Sequence, residues 1–321
     1  MNRAVVIRQV RTGSRLHWGL FSEPWEGGRR HRGIGMMIQQ PHCCVRLIQT
    51  GDEKRLQLTG FEKEPGLQSL IANLQNRLAG NAVCGTLELV SSIPRHVGLG
   101  SGTQLALAVT SLLCPQAEQA DQKQQMTELA GRAKRSSIGA HGFFAGGGFV
   151  DLGKQPNQAT IELAGVHRFE LPEQWRFLLI TPSMELGYSG QQEVDVFQSL
   201  DPMSESQARQ AAAIAEQLPQ QVVHFQQFGQ SLTEFGQLVG EVFARLQGGV
   251  YRWPQAETLR KQLHTIGVQG FGQSSWGPMV VALCKNEDHA QKAFELVRNF
   301  DPQLQQLITR PMNSGAEFSV Q

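Results

Sequence analysis

The stretch that most constrains the fold is a glycine-rich turn within residues 91–109, SSIPRHVGLGSGTQLALAV. Gly98, Gly100 and Gly102 stand at alternate positions, where the missing side chain permits positive φ and lets backbone N–H groups approach a ligand. Residues 86–90 alternate like a half-buried strand, and the residues after the turn favour a helix. A helix N-terminus offers unpaired N–H groups and partial positive charge, so we predict a phosphate site here. The plainer alternative, an ordinary strand-to-helix connection, seldom needs three spaced glycines.

Composition bounds the class of protein. The 321 residues are 40% hydrophobic and 18% charged, which is enough for a full core in two globular domains. A formal net charge of +1 gives no general attraction to nucleic acid or to a membrane surface, so anion binding must depend on a local cluster. The five cysteines lack the paired spacing of a zinc site or disulfide framework, and no run of about 18 apolar residues occurs. We expect a cytoplasmic protein that binds neither nucleic acid nor membrane.

Hydrophobic periodicity predicts the other elements of the first half. Residues 43–58 alternate as in a β-hairpin, and residues 67–80 carry apolar side chains at helical spacing. A second helix is predicted over 117–135, with a basic last turn. The glycine-rich segment 136–148 predicts a series of turns that lead into a strand at 148–152.

The chain changes character near residue 168, where we place the boundary between two domains. A continuous apolar strand at 175–183 is followed by glutamine-rich, amphipathic helices. A glycine-rich turn and an apolar strand are then predicted within 267–284. The predicted helices of this half are 204–217, 224–246, 255–265 and 287–300, and a last strand is predicted at 305–312.

The run at 94–104, PRHVGLGSGTQ, resembles the second motif of the GHMP kinase superfamily, P-x-x-x-G-L-G-S-S, with Gly102 where those kinases often have serine. The segment 267–278 lies where the third motif of the superfamily would fall. The resemblance implies an α+β, GHMP kinase-like fold. Residues 1–168 would form a domain like domain 2 of ribosomal protein S5, and residues 169–321 a ferredoxin-like domain. In that superfamily the glycine loop holds the phosphates of ATP.

Three departures argue against kinase chemistry. The segment 137–141, SIGAH, has no aspartate where such kinases carry a catalytic carboxylate. The neighbouring helix ends in Arg132, Lys134 and Arg135 rather than in an acidic magnesium ligand, and cations favour a polyanion. The segment 272–278, GQSSWGP, also differs from the usual glycine-alanine-glycine pattern.

Together the segments resemble one branch of the superfamily, the β-ribofuranosylaminobenzene 5′-phosphate synthases. Besides the central loop, the shared segments are RLHWGL at 15–20, RGIG at 32–35, GRAKRSSIG at 131–139 and GQSSWGP at 272–278. The resemblance implies transfer of ribose 5-phosphate from phosphoribosyl pyrophosphate to 4-aminobenzoate or 4-hydroxybenzoate. Pyrophosphate and carbon dioxide would be released, as a step of tetrahydromethanopterin biosynthesis. It further implies Mg²⁺ on the substrate pyrophosphate and a homodimer.

The resemblance and the chemistry of the reaction suggest the site residues. The departing pyrophosphate is highly charged, so donors and cations around it should supply the largest catalytic effect. The candidate phosphate-binding residues are Arg32, His96, Gly98, Gly100, Ser101, Gly102, Thr103, Gln104, Arg132 and Arg135. The candidate catalytic residues are Arg15, His17, His141 and Glu193, and the candidate substrate-binding residues are Gly272, Gln273, Ser274, Ser275 and Trp276.

Alternatives stay open for several of these residues and for the function. A lone tryptophan such as Trp276 is more often part of a core, and His96 and His141 fit loop hydrogen bonds as well as proton transfer. Glu193 fits an exposed helix acid as well as a base or a magnesium partner. The competing functions are an ATP-dependent small-molecule kinase and a non-catalytic protein that binds a phosphorylated metabolite.

Overall fold

The computed structural model of the chain describes residues 5–77, 82–114, 121–157, 163, 165–183 and 203–321, which form two β-sheets covered by helices. The strands are β1 (Val6–Phe21), β2 (Arg32–Gln49), β3 (Leu56–Thr59), β4 (Gly85–Ser91), β5 (Gly148–Asp151), β6 (Val166–Phe169), β7 (Arg176–Thr181), β8 (Gly270–Gln273), β9 (Val280–Cys284), β10 (Gln305–Thr309) and β11 (Glu317–Val320). The helices are α1 (Pro65–Arg77), α2 (Ser101–Leu113), α3 (Asp121–Leu129), α4 (Ile138–Ala145), α5 (Glu205–Gln221), α6 (Phe225–Gln247), α7 (Ala256–Thr265) and α8 (Glu287–Phe300).

The first sheet is built on the long antiparallel pair of β1 and β2. Its main path runs β11-β1-β2-β4-β3. β5 pairs with residues 33–36 of β2 and with β6, whereas β4 pairs with residues 44–48 of β2. The helix α2 packs on β1 and β2, and nine of its residues, from Gln104 to Leu113, are buried. The run LALAV makes α2 apolar on most of its sides, and a helix of this kind is typical of a buried core. This packing fixes the start of α2 against the sheet.

The second sheet has the order β10-β7-β9-β8, and all its pairs are antiparallel. The helices α5, α6 and α7 separate β7 from β8, and α8 separates β9 from β10. Numbered within this half, the strand order is 4-1-3-2, which is the ferredoxin-like arrangement that was expected. β7 and β9 are central and almost wholly buried, as their continuous apolar runs predict. No helix among the residues in view is both long and apolar enough to cross a membrane.

The two sheets are joined where α6 packs on both β8 and β1. The last strand, β11, does not stay with the second sheet but pairs with β1, from Arg8↔Val320 to Arg11↔Glu317. The proposed boundary between residues 168 and 169 falls inside β6, and it stays a prediction. The packing of α6 on both β8 and β1 brings the turn after β8 beside the start of α2.

The hairpin predicted over residues 43–58 is wrong. β3 pairs in parallel with β4, from Leu56↔Gly85 to Thr59↔Glu88, rather than antiparallel with β2. The helix α1 lies between β3 and β4 in the chain and provides the long crossover that a parallel pair needs. Alternation of apolar and polar residues indicates that a segment is a strand, but it does not indicate which other strand the segment pairs with.

Two further predictions near the loop need correction. The second helix ends at Leu129, so its basic residues lie in the connection to α4. Gly131 and Ala133 there have φ of 63° and 60°, which is incompatible with a continuing helix. The segment expected as turns contains α4. Its Gly142 is a point of close packing, since an added Cβ would lie 2.4 Å from Met37 Sδ. The strand predicted after it is confirmed as β5.

Candidate functional site

The glycine-rich turn joins β4 to α2, as the sequence predicts. Gly98 and Gly100 have φ of 99° and 69°, in the left-handed region that favours glycine. Gly100 is the N-cap residue of α2, and its carbonyl accepts the N–H groups of Thr103 at 3.1 Å and Gln104 at 3.3 Å. Ser101 and Gly102 head the helix and line a cavity. The positive end of α2 therefore faces open space that an anion can occupy.

Two adjoining cavities lie at this turn. The outer cavity, of about 360 Å³, is lined by residues 98–102 and His96 among others. The inner cavity, of about 210 Å³, is lined among others by His17, Ser136 and Phe243. Both are lined by Arg15, Thr103, Arg132, Arg135, Ser275 and Trp276. The shared residues make the two cavities one continuous cleft with two chambers.

The cleft is strongly positive. Its cationic side chains are Arg15, Arg95, Arg132, Lys134 and Arg135. Among the described residues that line it, the single carboxylate is that of Glu64, which lies 3.5 Å from the guanidinium of Arg95. The positive field reaches His31, whose pKa is lowered to about 4 by burial and then by the charges of Arg135 and Lys154. An anionic ligand would relieve this crowding of like charges.

Arg132 and Arg15 flank the start of α2. Both Nη atoms of Arg132 lie 3.7 Å from the place where a Cβ on Gly102 would be. Burial lowers the pKa of Arg132, and its Nε is buried without a hydrogen-bond partner. Arg15 donates its backbone N–H to the Leu99 carbonyl at 3.0 Å, and its Nε would lie 2.9 Å from a Cβ on Gly100. Glycine at these two positions lets both guanidinium groups approach the helix end.

The turn after β8 holds the glycine loop in place. Ser274 Oγ donates to the Gly98 carbonyl at 2.7 Å and accepts the backbone N–H of His17 at 3.0 Å. A Cβ on Gly98 would lie 2.0 Å from the Ser274 carbonyl oxygen, so the two backbones are in direct contact. Ser275 donates its N–H to the His17 carbonyl at 2.7 Å. One serine hydroxyl thus ties the second sheet to both β1 and the loop.

An aromatic wall closes one side of the inner cavity. Trp276 and Phe243 both line it, with ring centroids 4.7 Å apart and an interplanar angle of 85°. Edge-to-face packing of this kind holds both rings in fixed orientations. A planar ligand in the inner cavity would therefore find an apolar surface on this side and cations on the other.

A hydrogen-bond chain runs from the inner cavity into the protein. His17 Nε2 is 3.1 Å from Ser136 Oγ, which donates to Asp151 Oδ2 at 3.1 Å. Asp151 also accepts the backbone N–H groups of Ser137 at 2.8 Å and Gly153 at 3.0 Å. Burial raises the pKa of Asp151 to about 6, although these hydrogen bonds and Lys154 oppose the rise. Burial, and secondarily the charge of Arg15, keep the pKa of His17 well below its ordinary value.

The chain is similar to known proteins over most of its length. A model of the GHMP kinases N terminal domain matches residues 67–148, which include the glycine loop. A protein of Methanothermobacter thermautotrophicus named beta-ribofuranosylphenol 5′-phosphate synthase is 26% identical over 293 residues, covering 85% of this chain and 88% of the relative. The protein of the same name from Methanocaldococcus jannaschii is 24% identical over 339 residues, covering 95% of this chain and 98% of the relative. The chain is similar to these synthases over most of its length, and like them it is an enzyme of the pentosyltransferase class.

A solved structure has a similar fold. The mevalonate diphosphate decarboxylase of Staphylococcus aureus superposes with a TM-score of 0.68 over 98% of each chain, at 10% sequence identity. At such low identity the likeness concerns the fold alone. The GHMP kinase-like, α+β architecture expected from the sequence is confirmed.

The cleft collects many of the predicted site residues. In the inner cavity lie Arg15, His17, Thr103, Arg132, Arg135, Ser275 and Trp276, and the outer cavity adds His96, Gly98, Gly100, Ser101 and Gly102. Ser274 lies behind the loop, and Gly272 packs on Trp18, whose Nε1 would be 2.6 Å from an added Cβ. The side chain of Gln273 accepts the Arg252 N–H at 2.7 Å. Gly272, Gln273 and Ser274 therefore line neither cavity, and their binding roles stay predictions.

Four other predicted residues lie outside the two cavities or outside the described chain. The Gln104 side chain accepts from Thr12 Oγ1 at 2.7 Å and donates to the Gly139 carbonyl at 2.8 Å, so it is fully engaged inside the core. The ring of His141 lies 6.2 Å from that of Phe149. Arg32 is buried in ion pairs with Glu23 and Glu216, and Glu193 lies outside the described residues. Their proposed roles stay predictions.

Replacing Arg32 with methionine tests its predicted role. The side chains of Arg32 and Glu23 are 7% and 9% exposed, and removal of one partner from a buried ion pair costs about 3 kcal/mol. We expect a loss of that size in the free energy of unfolding in urea, with no change in KM for a phosphorylated substrate. The control is Arg298→Met, at an exposed pair with Glu295, which should cost no more than about 0.5 kcal/mol. An increased KM in a stable Arg32→Met enzyme would instead place Arg32 at the phosphate.

Three residues of this site, Ser136, Asp151 and Phe243, are absent from the candidates that the sequence suggests. The sequence predicts only a strand at 148–152 around Asp151 and a turn at Ser136. The sequence does hold a signal for Asp151, because an aspartate in an otherwise apolar, buried strand needs hydrogen-bond partners inside the protein. No group of three or more histidine, cysteine or acidic residues suited to a metal occurs in the part of the chain that can be described. The expected Mg²⁺ stays a prediction.

Proposed function

We propose that the chain joins the ribose 5-phosphate unit of phosphoribosyl pyrophosphate to an aromatic acid and releases pyrophosphate and carbon dioxide. The observation that carries this proposal is the two-chambered cleft, in which a cationic phosphate loop opens directly onto a chamber with one aromatic wall. An anionic leaving group suits the outer cavity and a planar ring suits the inner one. The reacting carbons would meet at the residues that both cavities share.

The outer cavity is suited to stabilise the departing pyrophosphate. The N-terminus of α2 presents backbone N–H groups and the positive end of its dipole, and Arg132 lies beside it. Arg15 and Arg135 complete the positive wall. As the bond from the ribose C1 to pyrophosphate breaks, charge grows on the leaving oxygen and these groups hold it more tightly than the intact substrate.

Mg²⁺ enters this proposal as part of the substrate. The described lining of the cleft offers one carboxylate, Glu64, and it already pairs with Arg95. Mg²⁺ commonly keeps several waters and takes phosphate oxygens as ligands, so it can arrive on the pyrophosphate without a protein cage. The metal would reduce the charge of the leaving group, and the arginines would neutralise what remains.

The inner cavity is suited to the aromatic acid. The ring would lie on Trp276 and Phe243 with its carboxylate-bearing carbon toward the ribose C1. That carbon forms the new bond to C1 as the C1–oxygen bond breaks, and the carboxylate then leaves as carbon dioxide, returning its electron pair to the ring. No proton is gained or lost overall. The relatives are named for a ribofuranosylphenol product, which favours 4-hydroxybenzoate over 4-aminobenzoate as the acceptor.

Two other functions are less well supported by the cleft. An ATP-dependent kinase would share the fold, but the loop before α4 carries no aspartate, and Asp151 is buried beneath Ser136. A non-catalytic binding protein would need only the outer cavity.

The proposal has three further parts. The reaction would be a step of tetrahydromethanopterin biosynthesis, the enzyme would be a homodimer, and it would be located in the cytoplasm.

Pyrophosphate release from magnesium phosphoribosyl pyrophosphate, measured with each aromatic acid, separates these functions. We expect release that depends strictly on the acid, which excludes a non-catalytic binding protein. Turnover of ATP with small alcohols is the companion assay. Phosphoryl transfer that survives alanine at both Arg132 and Arg135 would contradict the synthase function.

A further inference from the structure

The proposed reaction decides which end of the acceptor lies in the inner cavity. The carboxylate-bearing carbon must meet the ribose at the residues shared with the outer cavity, so the opposite, para substituent must point to the far end of the inner cavity. The residues that line the inner cavity alone include three polar side chains: His17, Lys134 and Ser136. Two of these, His17 and Ser136, are already hydrogen-bonded to one another. The substituent of the acceptor therefore meets the start of the chain that ends at Asp151.

The hydrogen bonds also fix where the protons lie. Gly19 donates its N–H to His17 Nδ1 at 3.1 Å, so the neutral ring carries its proton on Nε2 and donates it to Ser136 Oγ. Ser136 accepts a second hydrogen bond from the Ile138 N–H at 3.2 Å and points its own proton to Asp151 Oδ2. Both Asp151 oxygens act as acceptors, which is the arrangement of an ionised carboxylate.

We propose that Ser136 and Asp151 form a proton relay for a hydroxyl-bearing acceptor, an inference that rests on the function proposed above. On binding, the acceptor's hydroxyl oxygen replaces Ser136 as the partner of His17 Nε2, accepts its hydrogen bond, and donates its own proton to the lone pair of Ser136 Oγ that this exchange frees. His17 and Ser136 touch the acceptor, and Asp151 acts through Ser136. The relay is therefore specific for a phenol over an aniline.

The relay balances within one turnover. As the ring carbon bonds to the ribose C1, the phenol proton passes to Ser136 Oγ while the Ser136 proton passes to Asp151 Oδ2, and the phenol oxygen becomes a ring carbonyl. When the bond to the carboxylate breaks, its electrons restore the aromatic ring. The proton then returns from Asp151 through Ser136 to the oxygen. A neutral phenol is a weak carbon nucleophile until it loses this proton, whereas the nitrogen of an aniline donates its lone pair without losing one.

The surroundings of Asp151 suit a proton that is held briefly. Burial raises its pKa to about 6, so the carboxylate is ionised at neutral pH and yet takes up a proton more readily than an exposed aspartate. The backbone N–H groups of Ser137 and Gly153 fix both of its oxygens. The nearby ammonium of Lys154 is directed to the Ala133 carbonyl. The carboxylate is thus oriented toward Ser136 by groups that do not take part in proton transfer.

The variants Ser136→Ala and Asp151→Asn test the relay. We expect kcat with 4-hydroxybenzoate to fall by about 10²-fold or more, the contribution of a positioned general base, with KM changed by no more than about 3-fold. Ser136→Ala leaves both backbone hydrogen bonds to Asp151 in place. It therefore tests the relay even where Asp151→Asn fails to fold. The matched control Ser111→Ala removes a hydroxyl that donates to the Ala108 carbonyl in α2, and it should keep full activity.

The acceptor decides whether the effect is chemical or structural. With 4-aminobenzoate, or with 3-fluoro-4-hydroxybenzoate at a pH where its more acidic hydroxyl is ionised, both variants should lose no more than about 3-fold in kcat. Equal losses with all acceptors, or full activity with 4-hydroxybenzoate, would overturn the relay while leaving the proposed function intact. A wild-type enzyme that releases no pyrophosphate with any of these acids would overturn both.

Discussion

Arg132→Met is expected to lower kcat/KM for phosphoribosyl pyrophosphate by about 10²–10³-fold, the loss typical when one preorganised donor to a developing anion is removed. The guanidinium lies beside Gly102 at the start of α2, and its Nε is buried without a partner. Methionine keeps most of the packing volume and removes the charge. The measurement is initial pyrophosphate release over a range of substrate concentrations at fixed aromatic acid.

The control for this prediction is Arg298→Met, which removes a guanidinium from α8 at an exposed pair with Glu295. Its kcat/KM should equal that of the wild type, because α8 contributes nothing to the cleft. If Arg132→Met lowers activity no more than this control, the pyrophosphate does not lie against the start of α2, and the outer cavity has been assigned to the wrong ligand.

Gly98→Ala is expected to lower the free energy of unfolding by about 3 kcal/mol or more and to abolish acid-dependent pyrophosphate release. The added Cβ would lie 2.0 Å from the Ser274 carbonyl oxygen, and a residue with φ of 99° is strained with any side chain. The clash is with backbone, so no side-chain rotation relieves it. The loop must therefore move away from the turn after β8, and the hydrogen bond that Ser274 donates to the Gly98 carbonyl is lost.

Gly165→Ala is the matched control for this prediction. The added Cβ there would make an ordinary contact of 3.5 Å with Leu152 Cδ1. Urea unfolding of both variants, with activity measured on the folded fraction, separates loss of stability from loss of function. A Gly98→Ala protein with wild-type stability and activity would show that the close approach of loop and turn is unnecessary.

The glycine loop could be predicted from the sequence because its physics is local. Three spaced glycines after a strand and before a helix are enough to indicate an anion site, and both elements are confirmed as β4 and α2. The cations of the 130–137 connection were also identified, although they were assigned to a helix that ends earlier, at Leu129. Local patterns therefore located the charges without placing them correctly in secondary structure.

Long-range contacts account for what the sequence did not reveal. The chain from His17 through Ser136 to Asp151 joins three separate segments, and no spacing in the sequence indicates it. The predicted binding role of Ser274 stays a prediction, but nothing in the sequence indicates that its hydroxyl donates to the Gly98 carbonyl, 176 residues away. In α4, glycines that suggested turns are instead points of close packing, as Gly142 against Met37 illustrates. Each case depends on a partner that only the fold brings near.

Both products of the proposed reaction can be followed in one experiment. The enzyme is mixed with magnesium phosphoribosyl pyrophosphate and 4-hydroxybenzoate labelled with ¹³C in its carboxylate, and phosphorus and carbon NMR spectra are recorded with time. We expect pyrophosphate and labelled carbon dioxide to appear in equal amounts, and neither to form when the acid or the ribose donor is omitted. Pyrophosphate release without loss of the label, or release without the acid, would contradict it.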